Sequence, residues 1–237
     1  MKRPVNIVCV KTGTKYTHKD VKRLYKMVDR ACSLPFIFYC LTDNIYDLPS
    51  NVIGIKVNSS LDLESYWWKI CLFNLNLNEK ILYFDLDIVI QKDFTYLFEK
   101  IKKNKILVIN PDDAGINISN DIILDYDAFI NSSIIGMYPK DHEDVYNLFL
   151  KNIDYNILKY FGLDRFLSDR FLNRCIYLNF YNDYYFRWKD DKTPTKFCTP
   201  KIIDNTSYFL AKDPNKTLCI ISQVKEEMYE GLEEYFI

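Results

Sequence analysis

Through its first half the chain alternates short runs of β-branched and aromatic residues with stretches of helical period. The runs are "VNIVCV" (5–10), "FIFYCLT" (36–42), "VIGIKV" (52–57), "KILYFDLDIVI" (80–90) and "KILVIN" (105–110). Between them, residues 18–32 place Val21, Leu24, Tyr25 and Val28 on one helical face. Residues 63–76 offer Tyr66, Trp67, Ile70, Cys71 and Phe73 as a buried helix, and 94–103 read as another. Strands and helices in such alternation pack as a mostly parallel sheet flanked by helices, joined by right-handed crossovers. The expected fold class is therefore α/β with a central, mostly parallel sheet. The second half is less regular. Residues 128–139 read as a strand pair or one bent strand, 142–153 and 162–175 as amphipathic helices, and the remainder as aromatic and loop-rich. No repeat, low-complexity tract or flexible linker divides the 237 residues, so a single domain is expected.

Composition narrows the partners. Half the chain is hydrophobic (49%) and 16% is aromatic, enough for a substantial core. A net charge of -1 offers no electrostatic footprint for nucleic acid. Lys100, Lys102, Lys103 and Lys105 cluster, and the expectation for them is a solvated helix end. Seven cysteines, an odd number at wide spacings without a CxxC, read as reduced, buried thiols rather than a disulfide frame or zinc site. The apolar run after "MKRP" is too short for a signal peptide, and no run reaches the ~20 residues of a membrane span. The expectation is a cytoplasmic protein with no transmembrane segment.

Within the most hydrophobic strand sit Asp85 and Asp87. A buried, unpaired carboxylate is costly. In an open parallel sheet, ligands bind beyond the carboxyl ends of the strands. If 80–84 is the strand, both acids lie at its exit, and in extended chain i and i+2 point to one side. Converging carboxylates suit a hard divalent cation, Mg²⁺ or Mn²⁺, whose shell is commonly completed by phosphate and water. The alternative is that the acids pair with Lys or Arg. Haloacid-dehalogenase phosphatases also run an apolar strand into DxD, using the acids as nucleophile and acid/base. There the strand normally lies near the N-terminus, and Gly or Thr follows the second Asp, unlike Ile88 here.

A longer pattern surrounds the acids. "VCVKTGTKY", "LPFIFYCLTDN", "YWWKICLF", "LYFDLDIVI" and "INSSIIGMYP" follow one another from Val5 to about Asp169. In order and spacing the chain resembles a bacterial and viral group of small nucleotide-sugar glycosyltransferases of GT-A fold, related to family 8. The resemblance implies a nucleotide-binding half (1–110) and an acceptor or variable half (111–237). It implies transfer of a sugar from a nucleoside diphosphate, a UDP-sugar first, to an unknown glycan, protein or small-molecule acceptor, in the host cytoplasm if the source is viral. Asp85 and Asp87 would hold Mn²⁺ or Mg²⁺, with Asp85 also at the nucleotide. Lys11, Thr12, Gly13 and Tyr16 would line the nucleotide after the first strand, Gly13 by permitting close backbone approach and Tyr16 by stacking on a base. Asp43 would accept hydrogen bonds from base or ribose, and Lys69 would offset diphosphate charge. One tryptophan of the pair is expected in the core and Trp68 against the sugar. Asn131, Ser132 and Ser133 would position sugar hydroxyls, Asn131 in a catalytic role.

The pattern is departed from further on. Relatives tend to carry "GDQDxxSDQ" where this chain has "GLDRFLSDR": Leu163 replaces the first Asp, Asp164 falls where Gln would be, and Asp169 is retained. Asp164 is the candidate for the face of the anomeric carbon. A C-terminal "HG" that completes the metal shell in relatives is missing, since the chain's histidines are His18 and His142. The alternatives are the phosphatase and a non-catalytic nucleotide-sugar-binding module.

Overall fold

The structure is a computed structural model that describes residues 3–64, 66–90, 92–109 and 130–178, together with four short strands further on. The first strand, β1 (Val5–Lys11), has a fully buried centre. Helix α1 (His18–Ala31) begins at Thr17, whose side chain accepts from the Lys19 N–H while Asp20 reaches back to the Thr17 N–H. That reciprocal cap satisfies backbone donors that a helix end leaves open. Its buried face is Val21, Leu24, Met27, Val28 and Ala31, with Tyr25 only partly covered. Then come β2 (Phe36–Thr42), β3 (Ile53–Lys56), β4 (Ile81–Phe84), the two-residue β5 (Val89–Ile90), α2 (Leu97–Lys100), β6 (Ile106–Ile109) and β7 (Asn131–Met137). Helices α3 (Glu143–Leu150), α4 (Ile153–Tyr160) and α5 (Leu163–Phe171) precede β8 (Cys175–Leu178).

The sheet order is β3-β2-β1-β4-β7-β6-β8. β1 pairs in parallel with both β2 and β4, whereas β7 runs antiparallel to β4 and β6. The chain thus leaves β1 toward β2 on one side and returns to β4 on the other. A crevice opens between the carboxyl ends of β1 and β4, the place where such sheets take ligands. Because β7 is reversed, its amino end lies beside the carboxyl end of β4, with Phe84 opposite Ile134 and the Asp85 N–H bonded to the Ser133 carbonyl (2.9 Å). Residues remote in sequence meet at one rim for that reason. Of the remaining strands, β9 (Tyr185–Arg187) pairs with β12 (Ile220–Ser222), β12 also pairs with β5, and β10 (Cys198–Ile203) forms a hairpin with β11 (Thr206–Ala211). The middle of "CIISQ" is thus β12, and the rest of the aromatic tail, including the expected loop-rich stretches, lies outside the described residues.

Several local expectations are corrected. Residues 80–90 are not one strand: β4 ends at Phe84, a turn carries Leu86 and Asp87, and β5 resumes at Val89. Trp67–Asn74 is a 3₁₀ helix rather than an α-helix. Neighbouring large residues Trp67–Trp68 and Leu72–Phe73 are buried together, so no polar stripe remains to set an α-helical register. Trp67 packs on Phe149 (centroids 4.9 Å apart) and Phe166 (6.3 Å), while Tyr66 is left 42% exposed. Residues 94–103 yield only the single turn α2, because Asp93 captures the Thr95 N–H and hydroxyl and Ile101 is already extended. Of 128–139, the described residues hold one strand and not a strand pair, and 142–153 break at Lys151. Asn152 then caps α4, a helix that periodicity did not reveal. Among the described residues Cys9, Cys32, Cys40, Cys71 and Cys175 are free thiols, and burial pushes Cys71 and Cys175 up to about 12.

Candidate functional site

The β1–α1 loop forms one wall of the crevice. Gly13 sits at φ +63°, a conformation open to glycine, and donates its N–H to Asp43 Oδ2 (2.8 Å). Lys11 lies 3.8 Å from the other Asp43 oxygen. Asp43, expected at base or ribose, therefore closes this loop, with 38% of its side chain still open to solvent. Thr12 is buried, and its hydroxyl oxygen has no hydrogen-bond partner among the described residues. Tyr16 does not present an open ring: Lys15 Nζ lies 4.7 Å over it, and its hydroxyl donates to Asp87 Oδ2 (3.0 Å).

The two carboxylates at the β4 exit are held differently. Asp85 receives Lys69 Nζ on both oxygens, at 2.7 Å and 2.8 Å, and the Tyr83 hydroxyl also donates to Oδ1. Lys69 is thus committed to a carboxylate rather than free for a diphosphate, and for Asp85 the alternative of pairing with a lysine is what the structure shows. Burial acts to lower the Lys69 ammonium, but the charges of Asp85 and then Asp164 outweigh it and hold it above the ordinary lysine value. Asp87 Oδ1 is buried with no hydrogen-bond partner among the described residues. Burial, reinforced by the Asp85 charge, pushes the Asp87 carboxyl above the ordinary range, against Lys69, Tyr16 and Lys15.

The opposite wall comes from β7 and α5. Asn131 Oδ1 accepts the Ser133 N–H (2.9 Å), which leaves its amide nitrogen without a partner among the described residues. Ser132 places its hydroxyl 3.5 Å from Lys69 Nζ and gives its N–H to Asp164 Oδ1 (3.1 Å). Asp164 stands in the first turn of α5. Burial raises its carboxyl and Asp85 adds to the rise, opposed by Lys69 and Ser132. Asp164 and Asn131 therefore do come together with Asp85 and Lys69. Trp68 does not: it is 6% exposed and belongs to the core. Asp169 faces elsewhere, bound by Lys159 and Tyr160.

These walls enclose two cavities that share Tyr66, Lys69 and Asp85. The smaller, about 70 Å³, lies toward Thr12 and Tyr16. The larger, about 380 Å³, runs along Asn131–Ser133 to residues 161–165. At its mouth is a feature that sequence reasoning missed. Phe161 ends α4 at φ +51°, a left-handed conformation that is strained for a residue other than glycine, and is 66% exposed. Gly162 follows at φ +149°. Arg165 stacks over the Phe161 ring (5.9 Å), and Tyr66 lines the same mouth. The only sequence signal was "FG" between two helical stretches, which marks a helix end and says nothing of direction. Among the described residues no cluster of three or more His, Cys, Asp or Glu is spaced to hold a metal ion.

No family model matches the chain, and no curated protein matches it by sequence. Solved structures do resemble it in fold. The galactosyltransferase LgtC, in a complex with donor and acceptor sugar analogs, superposes with a TM-score of 0.63 at 11% identity, covering 98% of this chain and 95% of that one. Glycosyltransferase GlyE of Streptococcus pneumoniae TIGR4 gives 0.54 at 16% identity, over 76% of this chain and 47% of that one. Mouse xyloside xylosyltransferase 1 in its apo form gives 0.51 at 11%, over 79% and 88%. The fold is that of the GT-A glycosyltransferases.

Proposed function

We propose that this chain is a metal-dependent glycosyltransferase that moves a sugar from a nucleoside diphosphate, UDP first, to an acceptor hydroxyl. One observation carries the reading. At the switch point of a sheet shared with glycosyltransferases, Asp87 presents a buried oxygen without a partner among the described residues, beside a second carboxylate. A buried carboxylate in that state calls for a proton or a cation. The residues fit a divalent ion: Asp85 and Asp87 would hold it, with diphosphate and water supplying the other ligands. When bound, Mn²⁺ or Mg²⁺ supplies Lewis-acid charge to the leaving diphosphate.

The chain's own groups do the rest. The Thr12–Gly13 backbone and the smaller cavity receive the nucleotide. Asn131, through its open amide, and the serine hydroxyls orient the sugar, while Asp164 faces it from the far wall. The phosphatase alternative makes Asp85 the nucleophile, a role that the hydrogen bonds of Lys69 and Tyr83 on its oxygens weaken. A thermal-shift panel of nucleotides and nucleotide sugars, with and without Mn²⁺, tests the reading. UDP and a UDP-sugar should raise the melting temperature only with metal, and slow donor hydrolysis should follow. No response to any nucleotide, with turnover of p-nitrophenyl phosphate, would sink it. Donor binding with neither hydrolysis nor transfer would favour the non-catalytic module.

The exposed mouth of the larger cavity is the acceptor side. Phe161 and Tyr66 offer the apolar faces on which a sugar ring stacks. Replacing Phe161 with Ala should slow transfer to an added sugar acceptor by roughly tenfold, the value of about 1.4 kcal/mol, and leave UDP binding unchanged. Equal transfer by the variant would place the acceptor elsewhere.

The odd number and wide spacing of the cysteines favour a reducing, cytoplasmic compartment. Alkylation of the denatured, unreduced chain should add seven labels, one for each cysteine. Two or more protected pairs would argue against that compartment. No helix among the described residues is long and apolar enough to cross a membrane.

A further inference from the structure

We infer that Lys69 is a built-in counter-cation that occupies Asp85 until a divalent ion and a nucleotide arrive together, and that it then transfers to Ser132 and Asp164. The inference rests on the transferase reading above and concerns how its metal site is filled. Two carboxylates at the end of a buried strand cannot stay charged together without positive charge nearby. Lys69 provides it, with Nζ at 2.7 Å and 2.8 Å from the two Asp85 oxygens and its side chain 17% exposed. A carboxylate has about four lone-pair positions. Lys69 takes one on each oxygen and Tyr83 takes another on Oδ1, which leaves one. A dication that also binds Asp87 would sit against the ammonium, and the two positive charges repel each other across one carboxylate.

Asp87 has the opposite problem, an oxygen with no partner among the described residues. The pair is thus half neutralised by an internal cation and half open to an external one. A second berth for Lys69 already exists. Ser132 Oγ lies 3.5 Å from Nζ, and the Asp164 charge bears on Lys69 next after that of Asp85. The larger cavity meets the smaller one at Lys69 itself, so a small swing moves the ammonium between them. Such an exchange makes metal entry dependent on the nucleotide, whose phosphates offset the displaced charge. Metal alone must evict the lysine unaided.

Titration of Mn²⁺ into the nucleotide-free protein tests this directly. Lys69→Met should bind Mn²⁺ at least tenfold more tightly than the wild type, and Lys69→Arg, which keeps the charge, should stay close to it. A folded Lys69→Met protein with wild-type or weaker Mn²⁺ affinity overturns the proposal. The variant leaves Asp85 buried without its partner, which is destabilising, so a second measurement uses the unaltered protein. With ¹⁵N-lysine labelling, the Lys69 ammonium signal should shift when Mg²⁺ and UDP are added together and stay in place with Mg²⁺ alone. A saturable Mg²⁺–UDP complex with that signal unmoved overturns this proposal alone. A protein that binds neither metal nor UDP overturns the transferase reading and this proposal with it.

Discussion

Mn²⁺ alone and UDP alone are each expected to bind the protein weakly, and each to tighten the other by the same factor. Equality of the two factors is a thermodynamic requirement. Its size is set by the site. Asp85 and Asp87 are the carboxylates available for a cation, and no cluster of three ligating side chains exists among the described residues. Mg²⁺ and Mn²⁺ prefer about six ligands, so most must come from diphosphate and water. Without metal, the diphosphate meets a group of carboxylates: the charge of Asp85 helps burial raise both Asp87 and Asp164, and Lys69 opposes the rise at each. Each ligand alone therefore enters against repulsion that the other relieves. Coupling of about 5–150-fold is usual, and a value near 100-fold is expected here. Calorimetric titration of Mn²⁺ with and without UDP reads it. Tight Mn²⁺ binding to the free protein would reveal a further ligand. Equal UDP affinity in both conditions would mean that a side chain such as Lys69 neutralises the diphosphate and that the acids serve another purpose.

Asp87→Asn should raise the melting temperature of the apo protein and abolish metal-dependent stabilisation by nucleotide. The carboxyl of Asp87 is raised in the folded protein by burial and by Asp85. A raised carboxyl binds its proton more tightly when folded. Its contribution to stability is then fully present below the unfolded value, near 3.9, and is lost as pH rises through the folded one. At neutral pH the wild type carries that loss, and the amide does not. Asparagine can still accept the Tyr16 hydroxyl bond, so the turn after β4 is kept. Relief of about 1 kcal/mol would move a domain of this size by about 2–4 °C. The gain over wild type should shrink as pH is lowered toward 4. Melts across that range, with and without Mn²⁺ and UDP, check both halves of the statement. A variant that unfolds yet still binds nucleotide with metal would make Asp87 a structural partner and not a ligand.

The sequence by itself determined the elements whose signals are local. β1, α1, β2 and β6 are legible because period, capping and β-branched runs are properties of neighbouring residues, and the Thr17–Asp20 cap spans only four positions. The exit of β4 into Asp85, and the polar opening of β7 at Asn131–Ser133, were readable in the same way. What the side chains do there was not. Lys69 reaches Asp85 across 16 positions, Tyr16 reaches Asp87 across 71, and Ser132 reaches Asp164 across 32. Those distances close only because β1 and β4 are neighbours and β7 runs against β4, facts of sheet order that no local pattern encodes. The full burial of Trp67 comes from Phe149 and Phe166, which pack on its ring from distant helices. The left-handed Phe161 is the furthest from sequence reach. No residue preference favours it, and it exists because α4 and α5 must both pack against the core, leaving the turn between them to absorb the strain.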